Sequence, residues 1–424
     1  MTIDQMTQAL PALLADIEEL VTCESPSQDL AAVARSADVV ARLGARRLGA
    51  EPERLVLDGR THLRWRFGTG PARVLLLGHH DTVWPIGSLA THPFTVAGGV
   101  LRGPGCFDMK AGLAMIFHAV AALPDRSGVT ILVTGDEELG SPSSRGLIEA
   151  EASGCAAALV LEASAPGGAL KTERKGVSLY RVRVTGRAAH AGLEPERGVN
   201  ATIALARHVL TVAALADPAQ GTTVTPTLMS SGTTTNTVPA AGEFAIDVRV
   251  RTAAEQSRIH TALQSLERKG TFLTLSVEEG ALLNGADSGG VGLGGAGFGG
   301  RDLGAAGFGG GDLGGAEAAG VEVVGGPNRP PLDGASSAGL YARAEKLAAE
   351  LGLPPLTCAA VGGASDGNFT AGVGTPTLDG LGAVGGGAHA DDEHVLVEAL
   401  PGRTALLAAL VADLLPVLPV DPAR

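Results

Sequence analysis

Aromatic residues and positive charges are both scarce in this chain of 424 residues. Only 3% of the residues are Phe, Trp or Tyr, and 45 Asp and Glu outnumber 32 Lys and Arg, which gives a formal net charge of -13. Nonspecific binding to a nucleic-acid backbone depends on Lys and Arg. The charge balance therefore argues against a nucleic-acid partner, although it says nothing about the sign of the charge in a pocket.

Cysteines are also few, and they are far apart in the chain. No two of them form a CxxC pair, so neither a disulfide framework nor a sulfur zinc site is indicated. The four residues are Cys23, Cys106, Cys155 and Cys358.

Long apolar runs are missing as well. The longest, residues 405–418, is broken by Asp413 and Pro416 and is too short to cross a bilayer. Near the start of the chain, Leu13, Ile17 and Leu20 repeat at helical spacing between acidic residues, which predicts an amphipathic helix rather than a signal peptide. We therefore expect a cytoplasmic protein that has no membrane partner.

The length predicts two or three domains. Over residues 31–161, helical patterns alternate with short Val, Leu and Ile runs, which is typical of a sheet covered by helices. Residues 177–326 instead show the apolar and polar alternation of half-solvated antiparallel strands. We therefore predict an α/β catalytic domain made of residues 1–176 and 327–424, with a smaller inserted α+β domain at 177–326. Helical patterns after the first 100 residues cover 109–123, 200–215, 256–269, 335–351 and 404–415.

A Gly-rich insertion at about 271–320 departs from both patterns. Residues 281–315 repeat every five residues, with Leu or Phe usually at the centre and Gly usually at the end. This resembles the pentapeptide repeats that wind into a four-sided β-helix. The alternative is a disordered low-complexity loop, because so few apolar side chains cannot offset the ordering entropy of so much glycine. Under either interpretation the insertion carries no catalytic group.

Three apolar runs end abruptly in histidines or carboxylates. Ligands bind beyond the carboxyl ends of the strands in an open parallel sheet, so residues that follow different strands converge there. Two Gly-rich loops, at 103–112 and 385–387, each present one more such residue. Histidines and carboxylates together make a site for a hard to borderline cation. The residues at these positions are His79, His80, Asp81, Asp108, Asp136, Glu137, Glu138, Glu162 and His389.

Four motifs in chain order resemble one known family. GHHDTV at 78–83, GPGCFDMKAG at 103–112, GDEELGS at 135–141 and LEAS at 161–164 are similar to those of the zinc metallopeptidases that include glutamate carboxypeptidases, aminoacylases and succinyl-diaminopimelate desuccinylases. The overall layout is most similar to glutamate carboxypeptidases. The resemblance implies a phosphorylase/hydrolase-like mixed sheet, with a ferredoxin-like dimerisation or lid domain inserted in it.

The resemblance also implies two Zn²⁺ ions per subunit, although Co²⁺ or Mn²⁺ would suit the same ligands. A bridging carboxylate is needed because two dications about 3.5 to 4 Å apart repel each other unless an anion lies between them. The implied ligands are His79 and Glu162 for one metal, Glu138 and His389 for the other, and Asp108 as the bridge.

Residues next to these ligands are expected to orient them or to transfer protons. Asp81 lies two residues after His79, on the same face of an extended chain, so it can accept the second ring N–H of His79. His80 points the other way and is expected to be structural. The motif gives Glu137 the role of general base, which takes a proton from water and delivers it to the leaving nitrogen. Asp366 lies in GGASDGNF, which resembles a Gly-rich loop close to the family's metals.

The inserted domain carries three further candidates. GRAAHAGLEPERGVNA at 186–201 resembles the family's dimerisation motif, in which His190 would donate to the oxyanion across a homodimer interface. Asn236 and Arg249 lie in segments that resemble those that hold a substrate carboxylate, which the planar fork of Arg suits. The alternatives are a packed or surface histidine and an exposed strand charge.

These assignments predict a two-metal hydrolase that cleaves an amide bond next to a free carboxylate. Its substrate would be a small peptide, as for a glutamate carboxypeptidase. An N-acyl-amino acid, as for a deacylase, needs the same zinc chemistry and the same carboxylate clamp, so the motifs leave both open. A noncatalytic scaffold on the same fold is the third alternative, and the intact Glu137 speaks against it.

Overall fold

The computed structural model describes residues 2–268 and 320–415. Within those residues, helices cover a central mixed sheet, and a second sheet is antiparallel. The Gly-rich insertion lies outside the described residues, except for Gly320, which begins a strand. The helices are α1 (Ile3–Val21), α2 (Leu30–Leu48), α3 (Ala111–Ala121), α4 (Arg145–Ala152), α5 (Ala201–Ala213), α6 (Ala253–Arg268), α7 (Gly334–Glu350), α8 (Gly367–Gly372) and α9 (Ala399–Leu414). The strands are β1 (Glu53–Leu57), β2 (Arg60–Arg66), β3 (Val74–His79), β4 (Thr95–Ala97), β5 (Val100–Arg102), β6 (Val129–Thr134), β7 (Ala157–Val160), β8 (Leu170–Arg174), β9 (Gly176–Thr185), β10 (Thr223–Ser231), β11 (Ala241–Val250), β12 (Gly320–Arg329), β13 (Cys358–Val361), β14 (Thr377–Leu378), β15 (Gly385–Gly386) and β16 (His394–Leu396).

The central sheet has the strand order β1-β2-β6-β3-β7-β14. Strands β3, β6, β7 and β14 run parallel, while β1 and β2 add an antiparallel edge. Every residue of β3 and of β6 is buried, which explains their almost continuous Val and Leu runs, because helices cover both faces of such a sheet. The prediction of a mixed sheet covered by helices is confirmed.

Successive side chains of β3 pack into different cores on the two faces of this sheet. Leu76 belongs to the larger core, to which α1, α2, α3 and α9 contribute. Leu75 and Leu77 belong to a smaller core with Ile148 of α4 and Phe369 of α8. The alternation follows from the strand pleat, and it requires both sets of helices to be in place before β3 is fully buried.

Several helices begin away from the predicted residue; α6, for example, begins at Ala253 rather than at 256. The predicted start of α3 at Met109 is wrong, because Asp108 and Met109 have non-helical backbone angles, and α3 begins at Ala111. Helix α9 begins at Ala399, before the predicted 404, and includes Pro401 in its first turn. Proline is tolerated there because the N–H groups of the first turn have no partner within the helix.

The second sheet has the strand order β10-β11-β9-β12, and all its pairs are antiparallel. Its elements follow the chain order β9, α5, β10, β11, α6, β12, which is the βαββαβ order of a ferredoxin-like unit. In β9, buried Val182 and Val184 alternate with exposed Arg181 and Arg183. The sheet has its own core, which includes Phe244 and is separate from the cores of the central sheet.

Two small sheets complete the described structure. Strand β8 pairs in parallel with β13, and β15, β16, β5 and β4 form a sheet in that order. The β8–β13 pair ends beside the central sheet, since Arg174 at the end of β8 lies 3.5 Å from Glu162. Among residues 2–268 and 320–415, no helix is long and apolar enough to span a membrane.

Candidate metal centre

The carboxyl ends of three parallel strands form the base of the candidate site. His79 is the last residue of β3 and pairs in register with Thr134, the last residue of β6, while Glu162 follows the neighbouring β7 by two residues. Nε2 of His79 lies 3.5 Å from Oε1 of Glu162 and 3.3 Å from Oδ1 of Asp108. Residues separated by more than 80 positions therefore meet because the strands that carry them are parallel neighbours.

Asp108 lies between two histidines. Its Oδ1 faces Nε2 of His79, and its Oδ2 lies 3.5 Å from Nε2 of His389. His389 also lies 3.1 Å from Oε1 of Glu138. The two oxygens of this carboxylate therefore face two different groups of side chains, as a bridging ligand must.

The potential ligand atoms converge closely enough to hold cations. In each of two groups of three residues, one potential ligand atom per residue lies within 4.8 Å of the other two. The groups are His79, Asp108 and Glu138, and His79, Glu137 and Glu162. Nε2 of His79 and Oδ1 of Asp108 are buried without a hydrogen-bond partner. Buried polar atoms are nearly always paired, so these residues fit divalent cations.

His79 is oriented by Asp81, though not through the predicted atom. Its Nδ1 is 2.9 Å from the main-chain carbonyl oxygen of Asp81, whereas the nearest carboxylate oxygen is 3.5 Å away. The Asp81 carboxylate instead accepts from the N–H groups of Glu137 and Glu138, at 3.2 and 3.3 Å. Asp81 therefore directs Nε2 of His79 towards the cluster and also holds the turn that follows β6.

Two neighbouring residues have structural contacts instead. His80 is fully buried, with Nε2 3.0 Å from the carbonyl oxygen of Thr61, and burial lowers the pKa of its ring to about 4. Lys110, which directly precedes α3, donates to the carbonyl oxygen of Cys23 at 2.8 Å. Burial lowers the pKa of Lys110 to about 8, and none of the carboxylates in residues 2–268 and 320–415 lies within ion-pair distance of its Nζ.

Glu137 and Glu138 point to different partners. Glu138 faces His389, whereas Oε1 of Glu137 accepts a hydrogen bond from Nη2 of Arg329 at 2.8 Å. Glu137 is only 7% exposed, and burial raises the pKa of its carboxyl well above the usual value, although Arg329 opposes this rise. A carboxylate with a raised pKa is suited to accept and return a proton near neutral pH.

Opposite charges also shift the pKa values of two histidines, His79 and His389. Burial by itself would lower the pKa of His79, but Asp108, Asp81 and Glu162 together raise it well above the usual value. Asp108 and Glu138 raise the pKa of His389 to about 10. His389 also has a φ of 63°, a left-handed conformation that persists in a non-glycine residue only where the surroundings hold it.

Sequence reasoning missed three residues around the cluster. Arg329, at the end of β12, donates through Nη2 to Ser141 and Asp366 as well as to Glu137. Arg174 lies behind Glu162, and Glu393 lies behind Asp108. The sequence offered one signal, an excess of carboxylates over histidines at these positions. Buried carboxylates need buried cations to balance their charge, but the sequence does not identify which Arg or Lys supplies it.

Glu393 joins the loop that carries His389 to the loop that carries Asp108. Its Oε1 accepts from the N–H groups of Phe107 and Asp108, and its Oε2 accepts from the N–H of Gly105 and from Nε1 of Trp84. Four donors that converge on one buried carboxylate hold the backbone of the 105–108 loop. The position of Asp108 therefore depends on a residue 285 positions later in the chain.

The candidates on β11 and on the segments that flank the second sheet lie apart from this cluster. His190 is exposed, and its Nδ1 accepts from the N–H of Gly192 at 3.1 Å, which leaves Nε2 as the N–H donor of a neutral ring. Asn236 lies alongside, since its carbonyl accepts from the N–H of Ala191. Arg249 directs Nε and Nη2 to Asp247, at 2.8 and 2.9 Å. Within the described residues, no hydrogen bond or ion pair joins these three side chains to His79 or His389.

Comparison with known proteins identifies the family. The model of peptidase family M20/M25/M40 matches residues 75–413. Carboxypeptidase G2 of Pseudomonas sp. (strain RS-16) is 29% identical over 420 residues, which cover 96% of this chain and 90% of that protein. Succinyl-diaminopimelate desuccinylase of Methylorubrum extorquens (strain PA1) is 33% identical over 211 residues, which cover 43% of this chain and 54% of that protein.

A solved structure shows the same fold. The Bacillus subtilis YXEP protein, described as a dinuclear metal binding peptidase from the M20 family, matches with a TM-score of 0.60 and 15% identity, over 96% of this chain and 98% of that one. The predicted family resemblance is confirmed. The chain is a hydrolase that belongs to peptidase family M20/M25/M40.

Proposed function

We propose that this chain is a co-catalytic two-metal hydrolase that cleaves an amide bond adjacent to a free carboxylate. The observation that carries the proposal is Asp108, whose two oxygens face different histidines. The YXEP protein, which has the same fold, is described as dinuclear. The ligands would be His79 and Glu162 for one ion, Glu138 and His389 for the other, and Asp108 for both.

Zn²⁺ is the proposed metal, and Co²⁺ or Mn²⁺ would suit the same donors. Bound divalent ions would supply Lewis acidity to the amide carbonyl and to the attacking water. The chain's own residues then handle the protons. Glu137 is buried beside the cluster and has a raised pKa, so it takes the proton of the water and delivers it to the leaving nitrogen. Asp81 holds His79 and the Glu137–Glu138 turn in place.

The proposed domain division assigns residues 1–176 and 327–424 to catalysis and 177–326 to dimerisation. The second sheet supports it through its separate core and through apolar side chains that remain exposed. Ile203 and Leu210 on α5 are 52% and 67% exposed, and Leu228 and Met229 on the edge strand β10 are 72% and 53% exposed. A second copy of the chain that covers this face would make a homodimer, and His190 would then donate from Nε2 to the oxyanion in the partner's site.

A glutamate carboxypeptidase-like activity is the favoured form of the proposal, because the match to carboxypeptidase G2 spans 96% of the chain. Asn236 and Arg249 would hold the free carboxylate of the substrate, for which Arg249 must exchange its present partner, Asp247. Deacylation of N-acyl-amino acids is the second candidate, since the match to a desuccinylase favours an acyl substrate.

Matched substrates separate these activities. The purified protein, loaded with Zn²⁺, would be assayed with N-acyl-glutamates and with peptides that end in glutamate, and we expect kcat/KM to be higher for the peptides. Protein dialysed against a chelator is the control, and it should lose turnover until metal returns. Hydrolysis of the acyl substrates alone would overturn the carboxypeptidase activity, and full turnover by metal-free protein would overturn the mechanism.

A further inference from the structure

A buried ion pair lies directly behind one of the proposed metal ligands. Arg174 is 4% exposed, and Asp379, which follows β14, is fully buried. Nε of Arg174 donates to Oδ2 of Asp379 at 2.6 Å, and its Nη1 donates to the carbonyl oxygen of Gly363 at 3.0 Å. Ser365 donates to the same Asp379 oxygen at 2.6 Å. The guanidinium is therefore held on two sides by groups that are not proposed ligands.

The remaining nitrogen of Arg174 faces Glu162. Nη2 lies 3.5 Å from Oε2 of Glu162, and it is buried without a hydrogen-bond partner. The other oxygen of Glu162, Oε1, lies 3.5 Å from Nε2 of His79. Glu162 thus presents one oxygen to the cluster and the other to a buried cation.

We infer that Arg174 is a positioning residue that orients Glu162 for the metal shared with His79; this inference rests on the proposed function. A terminal carboxylate torsion is broad and roughly two-fold, so the side chain alone does not select the orientation of the two oxygens. A buried donor that is left without an acceptor is destabilising. The planar fork of Arg174 therefore favours the rotamer in which Oε2 faces Nη2 and Oε1 faces His79.

The ion pair with Asp379 determines how Arg174 acts on Glu162. Because its carboxylate pairs with Arg174, the two residues bring little net charge to the cluster. Arg174 consequently acts through the direction of its N–H groups rather than by neutralising Glu162. The consequence is asymmetric: the ion bound by His79 and Glu162 depends on Arg174, whereas the ion bound by Glu138 and His389 does not.

Metal titration tests this asymmetry without relying on turnover. Metal-free protein would be titrated with Co²⁺, and binding would be followed by calorimetry and by visible absorption. We expect two binding steps in the unsubstituted protein. In Arg174→Met one step should weaken by about 10- to 100-fold, the usual effect of removing a group that orients a ligand, while the other stays unchanged. Arg174→Lys, which keeps the charge but lacks the fork, should weaken the same step.

Two further variants make the result specific. Arg64→Met removes an arginine that pairs with the buried carboxylate of Glu151 rather than with a proposed ligand, and both affinities should stay unchanged. In Glu162→Gln, adding Arg174→Met should change the Co²⁺ affinity by less than about twofold, because residues that act through one contact are not additive.

Distinct results overturn the inference and the proposed function. Unchanged affinities in both Arg174 variants of a protein that binds two Co²⁺ ions overturn the inference alone, as does a full additional loss in the double variant. If Arg174→Met does not fold, as judged by circular dichroism, Arg174→Lys provides the decisive comparison. If the unsubstituted protein binds no Co²⁺ or Zn²⁺, the proposed function fails, and this inference fails with it.

Discussion

Adjacent carboxylates at the end of β6 have different surroundings. Glu138 faces His389 across 3.1 Å, while Glu137 is buried against Arg329. Successive residues of a tight turn cannot point in the same direction, so the pair divides into a proposed ligand and a proposed proton carrier. Burial raises the pKa of both carboxyls, so their partners are what separates them: Arg329 contacts Glu137, and His389 contacts Glu138.

Replacement of Glu137 by Gln should abolish proton transfer and leave metal binding intact. Gln has nearly the same shape but cannot accept a proton, so we expect kcat to fall by about 10²- to 10⁴-fold. Steady-state kinetics on the favoured substrate would measure the loss, and metal analysis of the dialysed variant should still find the unsubstituted protein's content. Turnover that survives the substitution undiminished would remove Glu137 from the mechanism.

At the scale of elements, one buried acid joins three helices. Asp16 of α1 accepts from Arg47 of α2 at 2.6 Å, and it lies 2.7 Å from Nε2 of His118 of α3. Arg46 adds a third contact at 3.1 Å. Burial alone would raise the pKa of Asp16, but His118 and the two arginines reverse that effect and lower the pKa below its usual value.

This lowered pKa predicts a pH-dependent contribution to stability. A carboxyl whose pKa is lower in the folded state stabilises the fold above its unfolded pKa of about 3.9, and the contribution is lost as the pH falls below that value. Asp16→Asn should therefore reduce the free energy of unfolding by about 2 kcal/mol at pH 7, the order of a hydrogen bond to a charged group, and by less at pH 3.

Urea unfolding at the two pH values measures this difference. Asp38→Asn is the matched control, because Asp38 pairs with Arg54 at the surface, where both side chains are about half exposed. Such pairs contribute at most about 1 kcal/mol. An equal loss at pH 7 and pH 3 in Asp16→Asn would contradict the assigned role of its charge.

At the scale of the whole molecule, the described residues of one chain leave the proposed site incomplete. His190 is exposed in the segment between β9 and α5, and within the described residues it makes no hydrogen bond or ion pair with His79 or His389, although its Nε2 can donate. The exposed apolar residues of α5 and β10 lie on the same unit. Association of two copies would cover those residues and would supply the histidine in trans.

Mixing two inactive variants tests this arrangement. In a heterodimer of His190→Ala and Glu137→Gln subunits, one of the two sites would contain both an intact Glu137 and an intact His190. Random reassociation should therefore restore on the order of a quarter of the unsubstituted activity, given two-fold symmetry. Each variant alone is the control, and verified mixed dimers that recover nothing would contradict action across the interface.

The sequence by itself determined the parts that depend on local order. Strand β3 and its terminal His79 could be predicted because a buried parallel strand is an unbroken apolar run and ligands gather at its carboxyl end. The motifs around Asp108 and Glu137 indicated the family, which the comparisons confirmed. The cytoplasmic location, the metal and the dimer stay predictions.

Only the tertiary structure decided how the charges at the strand ends are balanced and aimed. Arg174, Arg329 and Glu393 reach the cluster from elements that lie far along the chain, and the short contact of His79 goes to a main-chain carbonyl rather than to the predicted carboxylate. The physical reason is that strand-end convergence follows from local patterning, whereas the partner of a buried charge depends on which distant segments pack beside it. The acids and histidines at the ends of the apolar runs could therefore be predicted from the sequence, whereas the arginines that pair with them could not.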